Sequence, residues 1–239
     1  MLAAHDCYGG TYRLLRALAA RGQIELELAD LTAPDAEATI ARCRPALLWV
    51  ETPSNPLLRI TDLRAVSEAG HRVGAIVVAD NTFLSPALQR PLTLGADVVV
   101  HSTTKYLNGH SDVVGGAVIA RDAAHLETLA WWGNCLGITG APFDSFLTLR
   151  GVRPLFARMR VHEENAHAVA SALDDHAAVL AVHYRDCARI PGTASLRASR
   201  PGSGRWSALR CAVAGMPWRS SRRTSSASRW PSRSAVWRA

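Results

Sequence analysis

Between residues 46 and 120 four short, uninterrupted apolar runs recur: Ala46 to Val50, Ala75 to Ala79, Asp97 to His101 and Gly116 to Ala120. Each is too short for a globular helix, rich in valine or alanine, and bounded by Gly, Pro or Asp. Runs of this kind read as strands covered on both faces, the state of strands in a mainly parallel sheet. Amphipathic stretches separate them and read as helices, at Thr61 to Arg72, with Asp62 near its start, and at Pro86 to Thr93. Upstream, Leu14, Leu15 and Leu18 suit a helix over Tyr12 to Arg21 after a Gly9-Gly10 turn. Downstream come a helix over Asp122 to Gly133 and a long helical stretch from Phe143 to about Leu180. On that stretch Phe146, Leu149, Val152, Phe156 and Met159 keep helical spacing. The layout is α/β and doubly wound.

The 239 residues, 48% of them apolar, suffice for one large domain with part of a second. No uncharged apolar run approaches membrane-spanning length, and the first residues lack the basic and apolar regions of a secretory signal. Together these give a cytoplasmic expectation with no membrane partner. The five cysteines, Cys7, Cys43, Cys135, Cys187 and Cys211, are scattered without a Cys-x-x-Cys pair, and no two histidines have zinc-site spacing. Reduced thiols and no metal are expected. The formal charge of +7 is unevenly divided. Residues 187–239 hold eleven arginines and no acid, whereas the preceding residues hold sixteen bases and twenty acids. That tail also carries Trp206, Trp218, Trp230 and Trp237, and shows no sustained period. Its composition is that of a GC-rich gene read in a shifted frame. Interleaved Arg and Trp also leave open a nucleic-acid or membrane-surface extension, although no folded RNA-binding signature accompanies them.

Lys105 is the only lysine in a chain with twenty-six arginines. An amine can be desolvated, deprotonated and condensed with an aldehyde, which a guanidinium cannot. Lys105 follows the run at Asp97 to His101, among the hydroxyls of Ser102, Thr103 and Thr104 and before Gly109. Asp80 follows the run at Ala75 to Ala79. In a parallel sheet both emerge at the carboxyl edge, where α/β proteins place ligands. A pyridine cofactor needs an amine for its aldehyde, an acid for its ring nitrogen and donors for its phosphate. Lys105, Asp80, and Ser102 with Thr104 are the candidates. A solvated loop lysine, an Asx turn at Asp80-Asn81-Thr82 and hydroxyls serving loop backbone are the ordinary alternatives.

Four longer strings carry a resemblance: His5 to Leu14, Glu51 to Leu58, Asp80 to Gln89 and His101 to Asp112. They resemble the Cys/Met-metabolism group of pyridoxal-phosphate enzymes, over about residues 1 to 185. Leu129-Ala130-Trp131-Trp132 and Phe143-Asp144-Ser145 narrow the resemblance to its bacterial cystathionine γ-synthase branch. It implies the three-layer fold of pyridoxal-phosphate transferases, with residues 1–140 a partial large domain. Residues 141–185 are then an interdomain helix and the start of a small domain, and 186–239 a non-native tail. It implies γ-replacement of an O-acylhomoserine by cysteine to give cystathionine, in methionine biosynthesis. A homoserine sulfhydrylase or a γ-lyase is the alternative, and a fragment able only to bind cofactor or nucleic acid is another. The partners implied are small amino-acid substrates and, in the family, three further subunits of a homotetramer.

By motif, Lys105 resembles the cofactor-binding lysine and later acid/base, and Asp80 the partner of the ring nitrogen. Ser102 and Thr104 resemble phosphate ligands, and Tyr8 the tyrosine that lies on the ring and serves proton transfer. Asn55 resembles the contact to the ring hydroxyl, and Arg13 a substrate-side arginine. Family members also carry an upstream glycine-led phosphate loop and Tyr-x-Arg segment, and a downstream arginine that clamps the substrate carboxylate. No match to these is found in this sequence, so the resemblance implies an impaired fragment.

Overall fold

The computed structural model describes residues 1–176 together with Val179 and Val182. The 186–239 tail, with every expectation attached to it, lies outside the described residues. Six strands form one sheet: β1 (Leu2–Ala4), β2 (Glu27–Ala29), β3 (Leu47–Glu51), β4 (Ile76–Asp80), β5 (Val98–Ser102) and β6 (Gly116–Ala120). Their order is β2-β1-β3-β4-β5-β6. Every neighbouring pair is parallel except β5 and β6, which run antiparallel. The mixed α/β class and the mainly parallel sheet are as expected from the valine-rich runs. From β1 the chain passes outward to β2, then returns over β1 to β3, so the winding reverses between β1 and β3. That gap is the topological switch point, where ligand sites of this architecture lie.

One apolar layer gathers Leu2, Ala4, Leu48, Val50, Val77 and Ala79 from the strands with Ile40, Leu63, Val66 and Ala69 from two helices. Those helices are α2 (Ala36–Cys43) and α3 (Leu63–Arg72). Asp62 starts α3 by accepting the Ala65 N–H at 3.1 Å, the usual remedy for an open helix N-terminus. Gly70 lets α3 settle on the sheet, because a Cβ there would lie 3.0 Å from Val77 and 3.3 Å from Leu48.

Three expected elements differ. α1 runs Gly9–Ala20, so Gly9 and Gly10 open the helix instead of forming a turn. The expected helix at Pro86 to Thr93 is a single turn, α4 (Ser85–Leu88), and a separate 3-10 turn at Pro91–Leu94. Pro91 has no N–H to continue the first. The long helical stretch is two helices, α6 (Pro142–Val152) and α7 (Leu155–Asp174), which Pro154 divides for the same reason. Before them α5 (Ala123–Cys135) follows β6. No described helix is long and apolar enough to cross a membrane. Among the described cysteines Cys7, Cys43 and Cys135 are free.

Candidate cofactor site

Three strands end side by side at one edge, and two of them end in an acid. Glu51 and Asp80 are register partners across β3 and β4, and Asp80 pairs with Val100 of β5. Asp80 is half-buried, and its Oδ1 accepts the Thr82 N–H at 3.0 Å and the Thr82 hydroxyl at 2.6 Å. The Thr82 oxygen in turn accepts the Ser102 N–H at 2.9 Å. The Asx turn is therefore real, and it also aims the carboxylate while tying the end of β4 to the end of β5. Ser102 is half-buried beside this relay.

Lys105 sits directly beyond β5 in a single wide turn over Thr103–Leu107, exposed, with φ −93° and ψ −127°. Neighbours hold that turn on both sides. The Thr103 N–H donates to Gly115 at 2.9 Å, the Gly109 N–H to Lys105 at 2.8 Å. Arg158 reaches from α7 to the carbonyl of Tyr106 at 2.9 Å and that of Gly151 at 2.6 Å. Burial depresses the proton affinity of Arg158, yet it remains the cation fastening α6, α7 and the lysine turn. The Thr104 hydroxyl lies against the Gly115 backbone, accepting its N–H at 3.0 Å and donating to its carbonyl at 3.3 Å. The backbone-serving alternative thus applies to Thr104.

Tyr8 precedes α1, with its ring lying over the α-carbon of Gly10, where any side chain would collide with it. Its N–H donates to Glu51 Oε2 at 2.8 Å, across the switch point. Beside this link Ser54 donates to Asp6 at 2.5 Å. Asn55 is half-buried in the loop after β3. Arg13 is exposed on the first turn of α1, its guanidinium close to Gly9. Lys105, Asp80, Ser102 and Thr104 are thus gathered at the ends of β4 and β5, and Tyr8 and Asn55 at the ends of β1 and β3.

Sequence reasoning passed over Glu51, Thr82 and His101. The signal for Glu51 was an apolar run ending in an acid, the same signal that marks Asp80. Burial, and then the charges of Asp80 and Asp6, push the Glu51 carboxyl up to about 8, against the opposing pull of the Tyr8 and Asn55 amides. Cys7 is pushed up to about 11, chiefly by burial and then by Glu51. Burial lowers His101, and Asp80 opposes it. Asp80 stands close to Glu51 and Asp6, so a protonated ring beside it is electrostatically welcome. An exposed amine, an oriented carboxylate and nearby hydroxyls complete a donor set that fits pyridoxal phosphate.

Comparison with known proteins points to the same cofactor. The family model for Cys/Met metabolism PLP-dependent enzymes matches residues 1–205. The chain belongs to this family. Cystathionine γ-synthase of Escherichia coli K12 is 50% identical over 184 residues, which is 77% of this chain and 48% of that protein. A cystathionine γ-lyase of Dictyostelium discoideum is 41% identical over 184 residues, with the same coverage of this chain and 48% of its own. The crystal structure of cystathionine γ-synthase from Xanthomonas oryzae pv. oryzae superposes with a TM-score of 0.81 at 59% identity, over 85% of this chain and 52% of that one. The chain thus spans about half the length of the curated relatives it matches, and the cofactor of its family is pyridoxal phosphate.

Proposed function

We propose that this chain carries the cofactor-binding part of a trans-sulfuration enzyme that joins cysteine to an O-acylhomoserine, with loss of the acyl group, to give cystathionine. The observation that carries the reading is the chain's single lysine, set just beyond β5, the strand that pairs with β4 and its oriented terminal acid. Two structures of one relative support the substrate class: that of the Xanthomonas enzyme with aminoacrylate and cysteine, and that of the same enzyme with cystathionine.

When bound, pyridoxal phosphate supplies an electron sink for negative charge at the substrate α-carbon. In this reading Lys105 holds the cofactor aldehyde, gives it up to the substrate amine, and then moves protons at the α and β carbons. Asp80 keeps the ring nitrogen protonated. Ser102 and Thr104 donate to the phosphate, which requires the Thr104 hydroxyl to turn from the Gly115 carbonyl. Tyr8 lies on the ring, Asn55 meets its hydroxyl and Arg13 faces the substrate. The partners in this reading are small amino acids and further copies of the chain in a homotetramer.

A second reading, a γ-lyase, is favoured by the Dictyostelium relative. It uses the same lysine and acid, and differs in releasing the sulfur group where the synthase adds one. Product analysis with an O-acylhomoserine and cysteine, against cystathionine alone, separates the two.

Reduction of the cofactor-loaded chain with borohydride, followed by peptide mapping, tests the site itself. The label is expected on the peptide bearing Lys105 and is expected to vanish in Lys105→Ala, with the α-amino group mapped as control. Label kept elsewhere in the variant would sink the assignment.

A further inference from the structure

A buried carboxyl with two amide contacts and, among the described residues, no ion pair to a base calls for a role. Glu51 is the last residue of β3 and 4% exposed. It faces the start of α1 across the point where the winding of the sheet reverses. No side chain within α1 caps that helix. Its N-terminal amides need acceptors. Glu51 Oε2 supplies one from another strand by accepting the Tyr8 N–H at 2.8 Å. The Asn55 amide contacts the same carboxyl from the loop that follows β3.

The groups facing Glu51 are Asp6 and Cys7 from the β1–α1 loop and Asp80 from β4. The nearby cation Arg59 is directed to Asp6 and Asp30 instead. Among the described residues no salt bridge holds Glu51. What it does hold is two backbone segments, those of Tyr8 and Asn55, at the ends of β1 and β3. The Tyr8 ring packs over Gly10, so moving the Tyr8 backbone moves the ring.

We propose that Glu51 is a positioning residue: its carboxyl oxygen sets the Tyr8 ring and Asn55 in register with each other across the switch point. Their placement against the cofactor then depends on an acid that need not touch it. The inference rests on reading this edge as the pyridoxal-phosphate site.

The test uses the full chain with Glu51→Ala and Glu51→Gln, and two measurements. Hydrogen exchange on peptides covering residues 5–12 and 52–58 is read without cofactor, and pyridoxal-phosphate affinity is read by absorbance titration. Loss of a buried acceptor in Glu51→Ala is expected to speed exchange at Tyr8 and Asn55 and to weaken cofactor binding, each about tenfold. The carboxamide oxygen of Glu51→Gln can still accept, so both quantities are expected to return to within about threefold of the parent. Adding Glu51→Ala to Tyr8→Ala is expected to weaken cofactor binding by less than Glu51→Ala does in the parent, because part of its effect passes through the Tyr8 ring that is already gone. Should Glu51→Ala fail to fold, Glu51→Asp, which withdraws the carboxyl by one methylene, takes its place with the same losses expected. Unchanged exchange, a Gln variant as impaired as the Ala variant, or losses that multiply with Tyr8→Ala would each overturn the proposal. If the parent does not bind cofactor at Lys105, the site reading fails, while the cofactor-free exchange still judges the role of Glu51.

Discussion

Glu51 couples the fold to pH as well as to geometry. Its carboxyl ordinarily titrates near 4.5 and here is pushed up to about 8, mainly by burial. The folded chain therefore holds a proton that the unfolded chain has released between those values. Stability is full below about pH 4.5, falls as pH rises, and levels off above about pH 8, with a slope of at most about 1.4 kcal/mol per pH unit. Glu51→Gln imitates the protonated acid and removes this slope. Urea unfolding at pH 5 and pH 8 is expected to show the variant gaining on the parent at the higher pH. An identical difference at both would mean that Glu51 ionises normally. Residues such as Lys105 and Asp80 were legible because each stands out locally, one as a lone amine and the other as an acid closing an apolar run. Glu51 was not, because its importance comes from facing Tyr8, 43 residues away in sequence, across a crossover that periodicity does not encode.

At the scale of elements, β3, β4 and β5 were legible because a strand covered on both faces must be apolar throughout. β1 and β2 were not, since three residues such as Leu2–Ala4 or Glu27–Ala29 carry no period. The antiparallel run of β6 was equally hidden, because an apolar pattern has no direction. Local chemistry fixed the helix starts better. Asp62 accepts the Ala65 N–H, and α3 behind it contributes Leu63, Val66 and Ala69 to the main apolar layer. Asp62→Ala is expected to cost about 0.5–2 kcal/mol in unfolding free energy. Asp62 lies on the same carboxyl edge as the site, but its carboxylate is spent on the start of α3, so the same variant is expected to change cofactor affinity by no more than it changes stability. A loss of affinity larger than the loss of stability would show that α3 does more than cover the sheet.

For the whole molecule the telling surface is apolar and open. α5 buries none of its residues, and Trp131 and Trp132, stacked edge to face at 4.9 Å, both stand more than half exposed. Leu136, Ile138, Phe143, Phe146, Leu149 and Phe156 are exposed to the same degree. The spacing of Phe146, Leu149, Phe156 and Met159 announced an apolar helical face, and the face exists. Among the described residues Met159, with Leu155 and Leu107, joins a buried apolar cluster while the others do not, because periodicity marks what must be covered and is silent on which molecule covers it. A fully buried aromatic covers about 150–250 Å² and each of these still exposes more than half of itself, so with the exposed Leu and Ile side chains the set is at least as large as the several hundred Å² of apolar patch usual on a monomer. Association of copies through α5 and α6 is expected, in keeping with the proposed homotetramer. Sedimentation velocity over a concentration series should show a faster species that grows with concentration. Trp131→Asp combined with Phe146→Asp should return it to the monomer while leaving the thermal midpoint of the parent monomer in place, since neither side chain packs in the core. A parent that sediments as a monomer at every concentration would refute assembly through this face.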